Sequence, residues 1–297
     1  MNRVWSIIAI GIAALGLAGC CFPTGRQVST RIARTLSRGP VQRETREVDL
    51  GDATQVAATI QFGGGELEIG RGGAKLMRGE FEFSPPELEP VISYQVNDGQ
   101  GQLTIRQEWD TLRWDRLTSE PRNTWRIELT DRVPICLVAD VGASTGKVDL
   151  GGLPITDLRV TAGAADMSIA FGAPNPQRLR SFEVRTGAAR LELLELGNAN
   201  LDELTFDGGL GDYVLDFQGE WQRSAQVHIK AGASQVLLLI PRDVGVQVCP
   251  GDLRGGDYGG LLQQGDCYVN DAYSKDGITL DISLDLGLGK LEVKQVK

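Results

Sequence analysis

The sequence predicts an all-β repeat architecture, a β-solenoid of stacked two-strand units, on three observations: a recurring small-x-small corner, alternation of apolar and polar residues on both sides of it, and a near-constant corner spacing. The corner recurs seven times in 297 residues, at Gly63, Ser144, Gly163, Gly187, Gly209, Gly232 and Gly287. Two positions later stand Gly65, Gly146, Ala165, Ala189, Gly211, Ser234 and Gly289, all small. From Ser144 to Gly232 the spacings are 19, 24, 22 and 23, followed by 55 to Gly287. That period suits coils that bury their faces only against neighbours. A twisted β-sandwich of hairpins is the alternative architecture.

Each corner joins two strands with one wet face apiece. Five residues before it are Ala58, Ala139, Leu158, Phe182, Leu204, Val227 and Ile282; three before it are Ile60, Val141, Val160, Val184, Phe206, Ile229 and Leu284. The residue between them is polar every time, among them Arg159, Glu183 and His228. Four and six residues after the corner the apolar column resumes, for example Leu191 and Leu193 or Val236 and Leu238. The inward positions on the two sides are an odd number of residues apart, so a flat strand could not bury both. A bulge or bend must reset the register there, and small residues permit it.

Taken from the amino terminus, residues 1–19 have the layout of an export signal: Arg3, an apolar run from Val4 to Leu17, then small residues before Cys20. The run is shorter than the roughly 20 residues that span a membrane comfortably. Leu17-Ala18-Gly19-Cys20 resembles the lipobox of bacterial lipoproteins, which implies that Cys20 becomes the lipidated first residue of the mature chain. Residues 20–47, rich in arginine and poor in apolar periodicity, read as a basic flexible tether. Residues 48–130 form a diverged amino-terminal module in which the pattern lapses after the first unit. It holds strand-like runs at Val91–Val96 and Gln102–Gln107 and a tryptophan-rich insertion. Residues 131–297 are the β-repeat body, with a glycine-rich loop at 250–266.

The net charge is −9 with a single histidine, and seven arginines lie within the first 47 residues, so the body is strongly acidic. An acidic body repels phosphate backbones and excludes nucleic acid as a partner. One histidine excludes paired-histidine zinc sites.

Several stretches resemble the bacterial toast-rack domain family: Ile60-Gln61-Phe62-Gly63-Gly64-Gly65-Glu66-Leu67, Lys75-Leu76-Met77-Arg78-Gly79-Glu80-Phe81 and Leu103-Thr104-Ile105-Arg106-Gln107. Gly151-Gly152-Leu153-Pro154, Leu196-Gly197-Asn198-Ala199-Asn200 and Ile240-Pro241-Arg242-Asp243-Val244-Gly245-Val246 carry the same likeness, which covers most of residues 48–250. The resemblance implies a β-rich repeat domain, related to candidate adhesins and to the membrane-associated domains of LiaF-like envelope-stress regulators. It brings no catalytic residues and no cofactor. The tail after Cys249 departs from the pattern.

Motifs suggestive of chemistry have simpler explanations. Gly142-Ala143-Ser144-Thr145-Gly146-Lys147 fails as a phosphate loop, because its glycines are one residue too close and Val148 replaces the magnesium-binding hydroxyl. Gly208-Gly209-Leu210-Gly211-Asp212 is a lone copy of a calcium-type turn, for which Asp207, Asp212 and Asp216 are the ligands available; such sites need consecutive turns. No metal site is expected. His228 sits in a water-facing column without partner ligands. Trp109, Trp114 and Trp125 offer flat area for a sugar or protein partner, with core packing as their other use. Cys249 and Cys267 bracket the glycine-rich loop and would close it as a disulfide in an exported protein, against an alternative of reduced thiols. Cys136, between Ile135 and Leu137, is expected to be a buried thiol.

The resulting expectation is a non-catalytic, membrane-anchored lipoprotein of the bacterial envelope, extracytoplasmic and held to the membrane through a lipid. It would act as an adhesin-like or scaffolding module toward an envelope protein or polysaccharide. The alternative is an accessory sensor of envelope stress acting through a membrane signalling partner.

Overall fold

Alternation interrupted once by glycine makes each repeat unit a single long strand whose buried side changes parity at its middle. In the computed structural model, which describes residues 40–108, 121–251, 253, 256–273 and 277–296, seven such strands lie parallel and in register. They are β2 (Gln55–Arg71), β7 (Ile135–Asp149), β8 (Ile155–Ala170), β9 (Ser181–Leu194), β10 (Glu203–Asp216), β11 (Ala225–Pro241) and β15 (Thr279–Val296). In β8 the buried residues are even-numbered from Leu158 to Ala162 and odd-numbered from Ala165, so the reset falls at Gly163 and Ala164. Both halves face one apolar core. The sheet has 15 strands and is not closed into a barrel; the fold is all-β and repetitive.

The registers correct one unit of the sequence reading. Phe62 pairs with Val141 and Val141 with Ala162, which makes Gly142, not Ser144, the corner of the second unit. The corner column is therefore glycine throughout: Gly63, Gly142, Gly163, Gly187, Gly209, Gly232 and Gly287. Ser144 belongs to the small column two positions on, opposite Gly65 and Ala165. Close stacking explains the glycines. A β-carbon on Gly142 would lie 2.0 Å from the Gly63 carbonyl oxygen, and one on Gly211, whose φ is +153°, would lie 1.8 Å from the Ala189 oxygen.

Between strands the chain returns along a third side that also stacks. Leu150, Phe171, Leu179, Leu196, Leu201 and Phe217 fill it, all fully buried. Buried asparagines tie successive returns together. Asn175 Nδ2 donates to the Ile155 and Ala199 carbonyls at 2.8 and 3.1 Å, and Asn198 Nδ2 donates to the Phe171 carbonyl at 2.9 Å. A side-chain amide satisfies main-chain carbonyls that no strand reaches.

The stretch without repeats caps the first coil. On its second half β2 pairs with β6 (Arg122–Leu129), which continues antiparallel into β3 (Met77–Ser84) and β1 (Gln42–Val48). On its first half β2 pairs with β5 (Gln100–Arg106), which continues antiparallel into β4 (Val91–Asn97). At the other end, β12 (Gly245–Pro250) pairs with β15 from the side opposite β11, and the hairpin of β13 (Leu262–Gln264) and β14 (Cys267–Val269) follows it. This excursion accounts for the 55-residue gap before Gly287.

Candidate functional site

Cys20, Trp109 and Trp114 lie outside the described residues. Trp125 does not belong to a binding patch. It is fully buried on β6, edge-on to Phe62 at 5.0 Å and Phe81 at 5.5 Å between ring centroids. Its position on β6 alternates inward, and the large ring fills the space between the first coil and its cap. Cys136 is corrected too. It points outward from β7 and is half-buried, since its neighbours Ile135 and Leu137 occupy the inward positions. Burial, with Asp157 nearby, pushes its thiol pKa up, away from nucleophilic use.

The outer surface is built from columns that repeat at the strand spacing. One runs Thr59, Val138, Arg159, Glu183, Thr205, His228 and Ser283; the next runs Gln61, Asp140, Thr161, Arg185, Asp207, Lys230 and Asp285. Seven strands at about 4.8 Å give ladders roughly 29 Å long. Charges pair between coils. Arg159 Nε meets Glu183 at 3.0 Å, Arg178 meets Asp202 at 2.6 Å, and Arg190 lies between Asp166 at 3.7 Å and Asp212 at 3.8 Å. The hydrogen bond from Arg159 holds the Glu183 carboxyl below its ordinary pKa.

The ladders end in an open cleft of about 710 Å³. Thr205, His228 and Ser283 form one side of its floor and Lys230 and Asp285 the other, while Cys249, Pro250, Gly251 and Asp266 rise as a wall. The wall exists because the chain leaves β12 at Pro250, beside Leu284, and comes back through the β13–β14 hairpin. A disulfide joins Cys249 to Cys267 across 18 residues. Stacked rings of Tyr258 and Tyr268, 3.6 Å apart, hold the returning loop. His228 Nδ1 shares a 2.7 Å hydrogen bond with Ser283 Oγ, and its Nε2 lies 3.9 Å from Glu203. Lys230 stands in register between Asp207 and Asp285 and makes no ion pair with either.

The wall yields a direct test. The double variant Cys249→Ala/Cys267→Ala should lose about 3 kcal/mol by the loop-entropy model. Denaturant unfolding of the variant, and of the native chain with and without reductant, measures it. An unchanged midpoint in both would mean that the loop is held by Tyr258, Tyr268 and the hairpin alone.

The arrangement offers donors, acceptors and mixed charge along an open surface. Asp207, Asp212 and Asp216 do not converge. The corner separates Asp207 from Asp212, and Asp216 is buried, accepting hydrogen bonds from Gln218 N and Nε2. Among the described residues no group of three His, Cys, Asp or Glu could hold a metal. Also among them, no helix is long and apolar enough to cross a membrane. The glycine ladder and the asparagine returns are what sequence reasoning missed in part. The glycines were visible but set two residues off in one unit, and the asparagines show no periodicity that marks their role.

No curated protein matches the sequence. Among solved structures, a candidate cell adhesion protein from Clostridium sporogenes ATCC 15579 is 22% identical, with 86% of this chain and 100% of that chain covered at a TM-score of 0.46. A candidate adhesin from Bacteroides fragilis NCTC 9343 is 12% identical, covering 86% and 97% at 0.40. A candidate lipid-binding protein from Parabacteroides distasonis ATCC 8503 is 8% identical, covering 87% and 98% at 0.28. The model of the N-terminal domain of toast_rack, DUF2154, matches twice, over residues 37–181 and 175–239. Those two spans take in the cap and the coils through most of β11, well over half of the sequence, and the chain belongs to the toast_rack family through that domain.

Proposed function

We propose that this protein is a non-catalytic, adhesin-like binding module of the bacterial cell surface, lipid-anchored at Cys20, whose coils present a repeating polar face to an envelope polysaccharide. The observation that supports this reading is the set of in-register outer ladders ending in the cleft beside His228 and Lys230. Side chains repeating at one spacing suit a partner that also repeats, and a rigid sheet keeps them in place at little entropic cost. The carboxylates and guanidinia along the ladders pair with each other, which fits a surface for recognition better than one for acid–base chemistry.

The test is affinity purification of the full-length chain from its native membranes after in-cell crosslinking, with a mass measurement of the mature amino terminus. Cell-wall polymer should co-purify, and the first residue should be an acylated Cys20. Lys230→Glu should lower polymer retention by about tenfold, the loss of one charged hydrogen bond. Stoichiometric recovery of a kinase or permease instead would replace this reading with that of an accessory envelope sensor.

A further inference from the structure

We propose that β4 is a self-complementary docking edge through which two copies of this chain pair antiparallel, joining their sheets into one. This inference is independent of the polysaccharide reading. The strand edges of the fold differ in how they are guarded. β1 carries Arg43, Glu44, Arg46 and Glu47; the outer half of β15 carries Lys290, Glu292 and Lys294 and is bridged by Asp257 at Glu292; and β13 is an edge of only three residues. Charges of this kind guard an edge against pairing. β4, Val91-Ile92-Ser93-Tyr94-Gln95-Val96-Asn97, contains no charge, no proline and no glycine, and among the described residues it pairs with β5 alone.

The hairpin geometry says which groups are free. Asp98 and Gly99, both at positive φ, close a two-residue turn, so Asn97 and Gln100 form its first hydrogen-bonded pair. Alternation then directs the main chain of Val91, Ser93, Gln95 and Asn97 toward β5 and that of Ile92, Tyr94 and Val96 toward the open edge. No hydrogen bond to the Ile92, Tyr94 or Val96 main chain comes from any other described residue. The inward side chains of these three residues are only half-buried, whereas Leu103 and Ile105 on β5 are 1% and 0% exposed. Among the described residues nothing completes the cover of this last layer of the core.

A second copy supplies both the cover and the hydrogen bonds. About a two-fold axis through Tyr94, Ile92 faces Val96 of the partner subunit and Ser93 faces Gln95 of the partner subunit. Apolar meets apolar on the inner face, Ser93 meets Gln95 at the centre of the outer face with Val91 opposite Asn97 at its ends, and no like charges oppose. The free main-chain groups of Ile92, Tyr94 and Val96 fall in the hydrogen-bonded pairs of that register, as strand addition requires.

The experiment uses the full-length chain in detergent. Sedimentation should give the mass of two chains at micromolar concentration. Ser93→Lys/Gln95→Lys, both exposed positions, places lysine opposite lysine and should give the mass of one chain with an unchanged circular dichroism spectrum. The corresponding Ser93→Glu/Gln95→Glu variant should also be monomeric, and a mixture of the two should restore the dimer. As a check of register, Ser93→Cys mixed with Gln95→Cys should crosslink on oxidation, while Ser93→Cys alone should not gain a crosslink, since positions 93 and 95 form the close non-hydrogen-bonded pair at about 4.5 Å. A monomeric native chain, or a dimer that persists in the lysine variant, overturns the proposal.

Discussion

Gly142→Ala is expected to destabilise the protein by about 3 kcal/mol, and Gly142→Val by more, because neither side chain has room at the corner. The β-carbon would sit 2.0 Å from the Gly63 carbonyl oxygen and 3.0 Å from its carbon. That neighbour is main chain, fixed by the β2–β7 ladder on both sides, so relief requires parting two strands. Against a total stability of roughly 5–15 kcal/mol for an ordinary domain, the valine variant should show a substantial unfolded fraction. Two controls isolate the mechanism. Gly73→Ala, with nothing within 4 Å of its added carbon, should shift unfolding by less than about 0.5 kcal/mol. Ser144→Ala should cost less than about 1 kcal/mol, since its hydroxyl only approaches the Met167 sulfur at 3.7 Å. Urea midpoints decide it. If Ser144→Ala proved more damaging than Gly142→Ala, the register between β2, β7 and β8 would be wrong.

That pair of variants also marks where the sequence was ambiguous. Gly142-Ala143-Ser144-Thr145-Gly146 satisfies the small-x-small rule in two frames, two residues apart, and both keep the strand alternation intact. Choosing by hydropathy puts Val148 and Leu150 in the second-half columns and favours Ser144. The true frame places Gly146 there, in register with Leu67 and Met167, a substitution that side-chain counting penalises. What decides the frame is the approach of stacked carbonyls to the corner, and that distance has no trace in one unit's own residues. In the remaining units the alternation was sufficient: Val160, Val184, Phe206, Ile229 and Leu284 stack as their spacing predicts. His228 was legible only as an outward residue, and Lys230, two positions on, lies on the same face. Their meeting with Asp266 at the cleft depends on the excursion between β12 and β15, whose loop no repeat foreshadows.

Trp125→Ala should cost about 3–5 kcal/mol, while Trp125→Phe should be close to neutral, and the contrast distinguishes packing from partner binding. Alanine removes the ring that contacts Phe62, beside the first corner, and Phe81 on β3. Phenylalanine keeps an aromatic in the site and removes the indole N–H, which is buried without a hydrogen-bond partner among the described residues. Leaving such a donor unpaired carries a penalty of about 1–3 kcal/mol, enough to offset the smaller ring's lost contacts. Binding should be unaffected in the phenylalanine variant, because the side chain reaches no surface. A phenylalanine variant as unstable as the alanine one would mean that the indole's full volume, not its unpaired nitrogen, dominates the site. The alanine variant has a second consequence. Trp125 links the cap strands β3 and β6 to the first coil, and in a stacked protein cooperativity is carried by such nearest-neighbour contacts. Loss of the ring should therefore split one unfolding transition into two, with the cap melting first, which probes on the cap and on the last coils would report separately.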